Sequence, residues 1–252
     1  MVAFLTRHIG ISFAIASLAV LATLATLGWT TRPQSYTPQG AGDVYLALGD
    51  SLAWGLRLDR PDQESYPALI HAELIADHAI ELVNLAFPGE TSGSFLNRQL
   101  PRALDRIAAA QAAGLRVSPI TLNIGGNDLN ARRDASDQEL EAAVRAVETN
   151  LRRALDRLRD VAPDADIVVM TYYNPYGGDP QILGSEAYWA VRMNDAIRAA
   201  AAQHGVAVAD GYGALDGGRA YTHTLILFGD IHANAQGHRE LAKAFITALG
   251  YR

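Results

Sequence analysis

Four short blocks in this 252-residue chain carry groups able to do chemistry. Gly49-Asp50-Ser51 offers a hydroxyl, a poor nucleophile until a base removes its proton. Gly89, within Phe87-Pro88-Gly89-Glu90, can present an unhindered N–H, because glycine lets another group come close to the main chain. Asn127, within Gly125-Gly126-Asn127-Asp128, supplies an amide donor of the kind that stabilises an oxyanion. His232, within Gly229-Asp230-Ile231-His232, is an imidazole that titrates near neutrality and suits a general base. Each block alone has a plain structural use: an Asp or Ser helix cap, a Pro-Gly turn, a Gly-Gly-Asn turn, a histidine at a helix entrance. Together they supply nucleophile, base and donors for acyl transfer.

A frame must bring these blocks to one place. Short apolar runs at Val44–Leu48, Ile80–Leu85, Ser118–Ile124, Ile167–Tyr172 and Val206–Ala209 read as strands. Helical patterns lie between and after them, near Ser65–Ala76, Ser94–Ala113, Ser185–Gln203 and Asn234–Leu249. The clearest helix opens at Ser136 with Glu139 three residues on, a capping box, and continues through Leu140, Val144, Val147, Leu151, Leu155 and Leu158. Such alternation predicts an α/β fold, a parallel five-stranded sheet with helices on both faces. Ligands bind such sheets beyond the carboxyl ends of the strands, where these blocks stand.

Composition narrows the field. Hydrophobic residues make up 49 % of the chain and charged ones 19 %, which excludes a disordered tail and supports a packed core. Twenty-seven acids against 21 bases leave a net charge of −6 and no basic face for a phosphate backbone, so no nucleic-acid partner is expected. The absence of cysteine excludes disulfides, thiol nucleophiles and thiolate metal sites. His232 and His238 lack the i,i+4 spacing of a helical zinc pair, and no metal is expected. The histidines other than His232 read mostly as helix-surface or loop residues. No Gly-x-Gly-x-x-Gly turn and no Walker lysine is found, so no nucleotide cofactor is expected.

The chain divides into three regions. Residues 1–29 read as an N-terminal membrane anchor or signal segment: Ile9–Trp29 carries no charge and would span roughly 31 Å as a helix. Thr26-Leu27-Gly28 is a passable cleavage site, and Arg7 before the run favours an outside location for the rest of the chain. Residues 30–42, with two prolines and two glycines, read as a linker. Residues 43–252, about 210 in all, suit one domain.

Through Gly49-Asp50-Ser51, Gly89, Gly126-Asn127-Asp128 and His232, in this order and at suitable separations, the stretch from Asp43 to the C-terminus resembles the SGNH hydrolases, also called the GDSL lipase and esterase family. The resemblance implies a three-layer, flavodoxin-like fold and a cofactor-free serine hydrolase. It implies Ser51 as nucleophile, His232 as base, and an oxyanion hole made by the Ser51 and Gly89 N–H groups and the Asn127 side chain. The family usually places a third acid three residues before the histidine. Here that position is Gly229, and Asp230 stands two before. Asp230 is expected to serve if the loop bends to bring it to the imidazole. A backbone carbonyl or water could orient the ring instead, and capping the last helix is the competing use of Asp230. The family's proline after the histidine is replaced by Ala233. Tyr172-Tyr173-Asn174-Pro175-Tyr176 is expected to line the pocket, with Asn174 touching substrate, or to form a packed rim.

The expected activity is hydrolysis of carboxylic esters outside the cytoplasm. The substrate is a small-molecule, lipid or acylated-glycan ester of short or medium chain, and the membrane is a partner through the N-terminal segment. A carbohydrate or cell-envelope O-acetyl esterase is the alternative within the class. A catalytically silent, membrane-tethered glycan or lipid binding module is the alternative outside it.

Overall fold

The computed structural model describes residues 35–76, 79–132, 135–216 and 218–251. The expected anchor or signal segment, 1–29, lies outside the described residues. Among those described, no helix is long and apolar enough to cross a membrane.

The five apolar runs form five strands: Val44–Gly49 (β1), Glu81–Asn84 (β2), Val117–Asn123 (β3), Ile167–Met170 (β4) and Ala207–Ala209 (β5). All pair in parallel, in the order β2-β1-β3-β4-β5. β1, β3 and β4 are buried along their whole length, as central strands covered on both faces must be.

The helices that matter for the site are Ser51–Trp54 (α1), Tyr66–Leu74 (α2), Leu100–Ala112 (α3), Gly126–Asn130 (α4), Asp137–Val161 (α5), Glu186–Gln203 (α6) and Ala235–Leu249 (α7). α2 and α7 pack together on one side of the sheet, and α5 packs against α3 and α6 on the other. The predicted capping box starts α5: the Glu139 N–H donates to Ser136 Oγ, and the Ser136 N–H donates to the Glu139 carboxylate. All six apolar residues of its predicted stripe are buried, each stabilising the fold by about 1.5–3 kcal/mol.

Two elements depart from the sequence pattern, both next to the site. The helix expected from Ser94 begins as a π-helical turn, Phe95–Gln99, before α3, in which Pro101 has no N–H to offer the ladder. β4, expected to reach Tyr172, ends at Met170, because the Tyr172 peptide pairs with Asn194 of α6: its N–H donates to Asn194 Oδ1 and its carbonyl accepts from Asn194 Nδ2, both at 2.8 Å.

Residues 35–42, read as linker, are irregular but tied to the domain. The Gln39 N–H donates to the Asp166 carboxylate at 3.0 Å, and Arg116 donates to the carbonyls of Gly40 and Ala41.

The strand order makes β1 the pivot, since the chain leaves it toward β2 on one side and then crosses to β3 on the other, which opens a crevice at its carboxyl end. Gly49 stands there opposite Asn123, at φ +141°, where a Cβ would lie 2.3 Å from Asn123 Oδ1. No other residue fits without moving Asn123. Gly49→Ala should therefore lower stability by at least about 1–3 kcal/mol in urea unfolding, and an unchanged midpoint would contradict this reading.

Candidate active site

β1 runs directly into Asp50, which caps α1: its Oδ1 accepts the Leu52 N–H at 2.9 Å. Ser51 is thereby fixed at the first position of a helical turn. Asp50 is buried, and its carboxylate is held by neutral donors. Oδ1 also accepts from Asn123 Nδ2 at 2.6 Å, and Oδ2 accepts from the Tyr172 hydroxyl at 2.5 Å. The Tyr66 hydroxyl in turn donates to Asn123 Oδ1 at 2.6 Å. Burial raises the Asp50 pKa and the three donors oppose the rise. Such a group binds its proton more readily in the folded chain, so the stability it contributes is lost as pH rises. Burial, followed by the charge of Asp50, pushes the Tyr172 phenol well up and keeps it a donor.

His232 reaches this turn from the loop before α7. Its Nε2 lies 2.9 Å from Ser51 Oγ, and its Nδ1 makes a short hydrogen bond to Asp230 Oδ1. A carboxylate only accepts, so Nδ1 carries the proton and Nε2 is left to accept from the serine hydroxyl. Asp230 Oδ1 also accepts the His232 backbone N–H at 3.0 Å, which is how an acid two residues before the histidine reaches the ring. The alternative use of Asp230 is not found: Asn234 caps α7, accepting from the N–H groups of Gln236 and Gly237. Partial burial raises the Asp230 pKa, but hydrogen bonds from the His232 N–H, the imidazole and Arg57 outweigh it and hold the carboxyl at about 2. Its ionised form therefore stabilises the fold above the ordinary aspartate pKa of about 3.9, and that contribution is lost as pH falls through 2.

The loop itself is held by its backbone. His232 O accepts the Leu225 N–H at 2.9 Å, Ile231 O accepts from the Tyr173 hydroxyl at 2.8 Å, and Ala233, buried where the family has proline, bridges to Thr224.

Gly89 and Asn127 come from the other side. Gly89 has φ +78° with open space beside its α-carbon. The N–H groups of Ser51 and Gly89 have no acceptor among the described residues. Asn127 Nδ2 donates to Glu90 O at 2.9 Å, which orients the amide and leaves its second N–H free to donate. Asp128 ties the same two segments a second time, accepting from the Ser92 N–H and hydroxyl at 2.8 Å each. Glu90, fully buried, accepts from Arg98 at 3.0 Å and from Gln99 Nε2 at 3.1 Å. Gln99 also brackets Gly49, accepting its N–H at 2.7 Å and donating to its carbonyl at 2.9 Å. The π turn before α3 delivers Gln99 to this position.

A cleft of about 160 Å³ opens beside Ser51 and His232, lined by Leu129, Leu140, Tyr173, Trp189 and Met193 among others. Asn174 stands in its wall, but its side chain is engaged in its own loop, accepting from the Tyr176 N–H at 3.0 Å and donating to Gly177 O at 2.7 Å. His238, grouped by sequence with surface or loop histidines, is fully buried. Its Nδ1 accepts the Tyr66 N–H at 3.1 Å, and burial, with His232 adding, pushes it down to about 4. Sequence reading missed Asn123, Gln99, Glu90, Asn194 and Arg57. The only signal for most of them was a polar residue inside an otherwise apolar pattern.

Several known proteins resemble this chain in sequence or fold. "Lipase 2" of Streptomyces coelicolor is 28 % identical to this chain, over 93 % of this chain and 96 % of its own. Among solved structures, the acetylxylan esterase Axe2 of Geobacillus stearothermophilus superposes with a TM-score of 0.64 at 18 % identity, covering 86 % of this chain and 98 % of its own. An extracellular lipase of Streptomyces rimosus superposes with a TM-score of 0.54 at 21 % identity, covering 81 % of this chain and 99 % of its own. The GDSL-like lipase/acylhydrolase family matches residues 47–240, a span that holds every block from which the site is built. The chain belongs to that family and is an ester hydrolase of the GDSL type.

Proposed function

We propose that the chain cleaves carboxylic esters through an acyl-enzyme formed on Ser51. The observation that carries this reading is the aligned series Ser51 Oγ, His232 Nε2 and Asp230 Oδ1, beside two free backbone N–H groups. His232 Nε2 takes the hydroxyl proton as Oγ attacks the ester carbonyl, then returns it to the departing alcohol. Asp230 holds the imidazole in the tautomer that leaves Nε2 free and stabilises the imidazolium as it forms. The Ser51 and Gly89 N–H groups and the Asn127 amide hold the oxyanion, and losing one such donor typically costs about 2.7–4 kcal/mol of barrier. Water then repeats the cycle on the acyl-enzyme.

The apolar wall formed by Leu129, Leu140, Trp189 and Met193 supports an acyl group of short or medium length. A carbohydrate O-acetyl ester is the second reading, favoured by the aromatic share of the same wall, Tyr172, Tyr173, Tyr176 and Trp189. A silent binding module loses its support, because the offset Asp230 does reach His232. The uncharged run Ile9–Trp29 supports action outside the cytoplasm, with the enzyme tethered by that run or released by its cleavage.

Ser51→Ala should abolish hydrolysis of short p-nitrophenyl esters with the unfolding midpoint unchanged; retained turnover would overturn the reading. Asp230→Asn should slow turnover by about 10²- to 10⁴-fold, whereas an unchanged rate would hand its role to a carbonyl or to water. kcat/KM should fall on acidification as the imidazole gains a proton and can no longer accept one. Asp230, held at about 2, stays ionised throughout, so a single acid limb is expected. A flat profile over about pH 5 to 8 would remove His232 as the base. A series of p-nitrophenyl esters of rising chain length beside acetylated xylo-oligosaccharides separates the two substrate readings.

A further inference from the structure

We infer that Arg57 is a positioning residue for this reaction: it locks the Asp230 carboxylate to the segment that carries Ser51. The inference rests on the catalytic reading above and adds to it a residue outside its four sequence blocks.

The backbone of Asp230 is held, but the residues just before it give its side chain little support. It follows a single 3₁₀ turn, Ile226–Phe228, and Gly229 at φ +79°, and the preceding Leu227 and Phe228 are 71 % and 86 % exposed. Its N–H donates to Leu225 O at 3.2 Å, but these exposed neighbours do little to fix the direction of its carboxylate. One carboxylate oxygen, Oδ1, serves His232 through both the imidazole and the backbone N–H. The other, Oδ2, accepts from Arg57 Nε at 2.6 Å. Rotation of the carboxylate is therefore blocked from both sides, and the oxygen facing the ring cannot swing away without breaking the arginine contact.

Arg57 is well placed for this. α1 carries Ser51 and ends at Gly55, and the Leu56 N–H returns to the Ser51 carbonyl at 3.0 Å, so Arg57 follows a turn closed on Ser51 itself. The contact thus ties the turn bearing the hydroxyl to the loop bearing acid and imidazole, 173 residues away. Arg57 is also the only non-glycine residue with a positive φ, +76°, among the described residues. A left-handed conformation is unfavourable for an L-residue, and strained backbone persists where the surroundings over-determine it. The ion pair is more than half exposed on the arginine side and adds little to stability. What it fixes is direction.

Arg57→Gly tests this without threatening the fold, because glycine adopts φ +76° freely. The unfolding midpoint should stay near that of the parent. kcat should fall about tenfold or more, within the roughly 10²-fold that a misplacement of about 1 Å costs. KM should hold, since Arg57 does not line the cleft. The titratable and charged groups around His232 are Asp230 on its own loop, Asp50 at the end of β1, Arg57 after α1 and His238 on α7. Removing the Arg57 cation beside Asp230 leaves its negative charge to favour the imidazolium, so the acid limb of kcat/KM should move to higher pH. Arg57→Lys, which keeps the charge, should restore part of that shift. In an Asp230→Asn background, Arg57→Gly should have no further effect on kcat. Parent-like kcat and acid limb in Arg57→Gly, or an equal loss in the Asp230→Asn background, would overturn the inference. If Ser51→Ala and Asp230→Asn lose turnover while Arg57→Gly does not, this inference alone fails. If Ser51→Ala keeps turnover, the catalytic reading fails with it.

Discussion

A carboxylate buried at the end of the central strand governs how this site is assembled. Asp50 sits in the interior with no cation in contact among the described residues, and an unpaired charge in such a place is expensive. Three neutral donors offset that cost: the Leu52 N–H, the Asn123 amide and the Tyr172 hydroxyl. Each donor must itself be held, since a half-satisfied buried network is worse than none. Tyr66 of α2 holds Asn123, and Asn194 of α6 holds Tyr172 by its backbone. One buried charge thereby draws both helical layers and two strands onto the turn that presents Ser51.

The two sides of the proposed reaction centre are built differently. The side proposed to hold the oxyanion is interior: Glu90 and Gln99 are buried, and Asp128 and Asn127 cross-link the segments that carry Gly89 and Asn127. The side proposed to supply the base is a loop near the surface, held by backbone pairing, the Tyr173 hydroxyl and the Arg57–Asp230 contact. This division suits the chemistry. Oxyanion donors act best when they need not move as charge develops, whereas the base must exchange protons with a hydroxyl, an alcohol and water.

Much of this architecture is legible in the amino-acid sequence. The five apolar runs became the five strands because a parallel sheet buried on both faces admits little else, and the Ser136 capping box marked the start of α5. Ser51, Gly89, Asn127 and His232 stood out only together, because each alone has an ordinary cap or turn use whereas the four in order supply nucleophile, base and donors. The supporting groups were hidden for a physical reason. Asn123, Gln99, Glu90 and Asn194 act through contacts between elements far apart in sequence, and no local period marks them. Gln99 depends on a π turn, and Tyr172 on a strand that stops at Met170. Asp230 was ambiguous because spacing alone could not say whether its carboxylate would turn toward the ring or toward α7. Asn174 drew attention as a polar residue near the pocket, yet its amide closes its own loop.

The central claim is that the hydroxyl of Ser51 is activated by His232. Covalent labelling with a fluorophosphonate probe tests it most directly, with the adduct located by peptide mass spectrometry. The account predicts a single adduct, on Ser51, formed rapidly in the parent protein and very slowly in a His232→Ala variant. An adduct on another residue, or equal labelling rates in parent and variant, would contradict it.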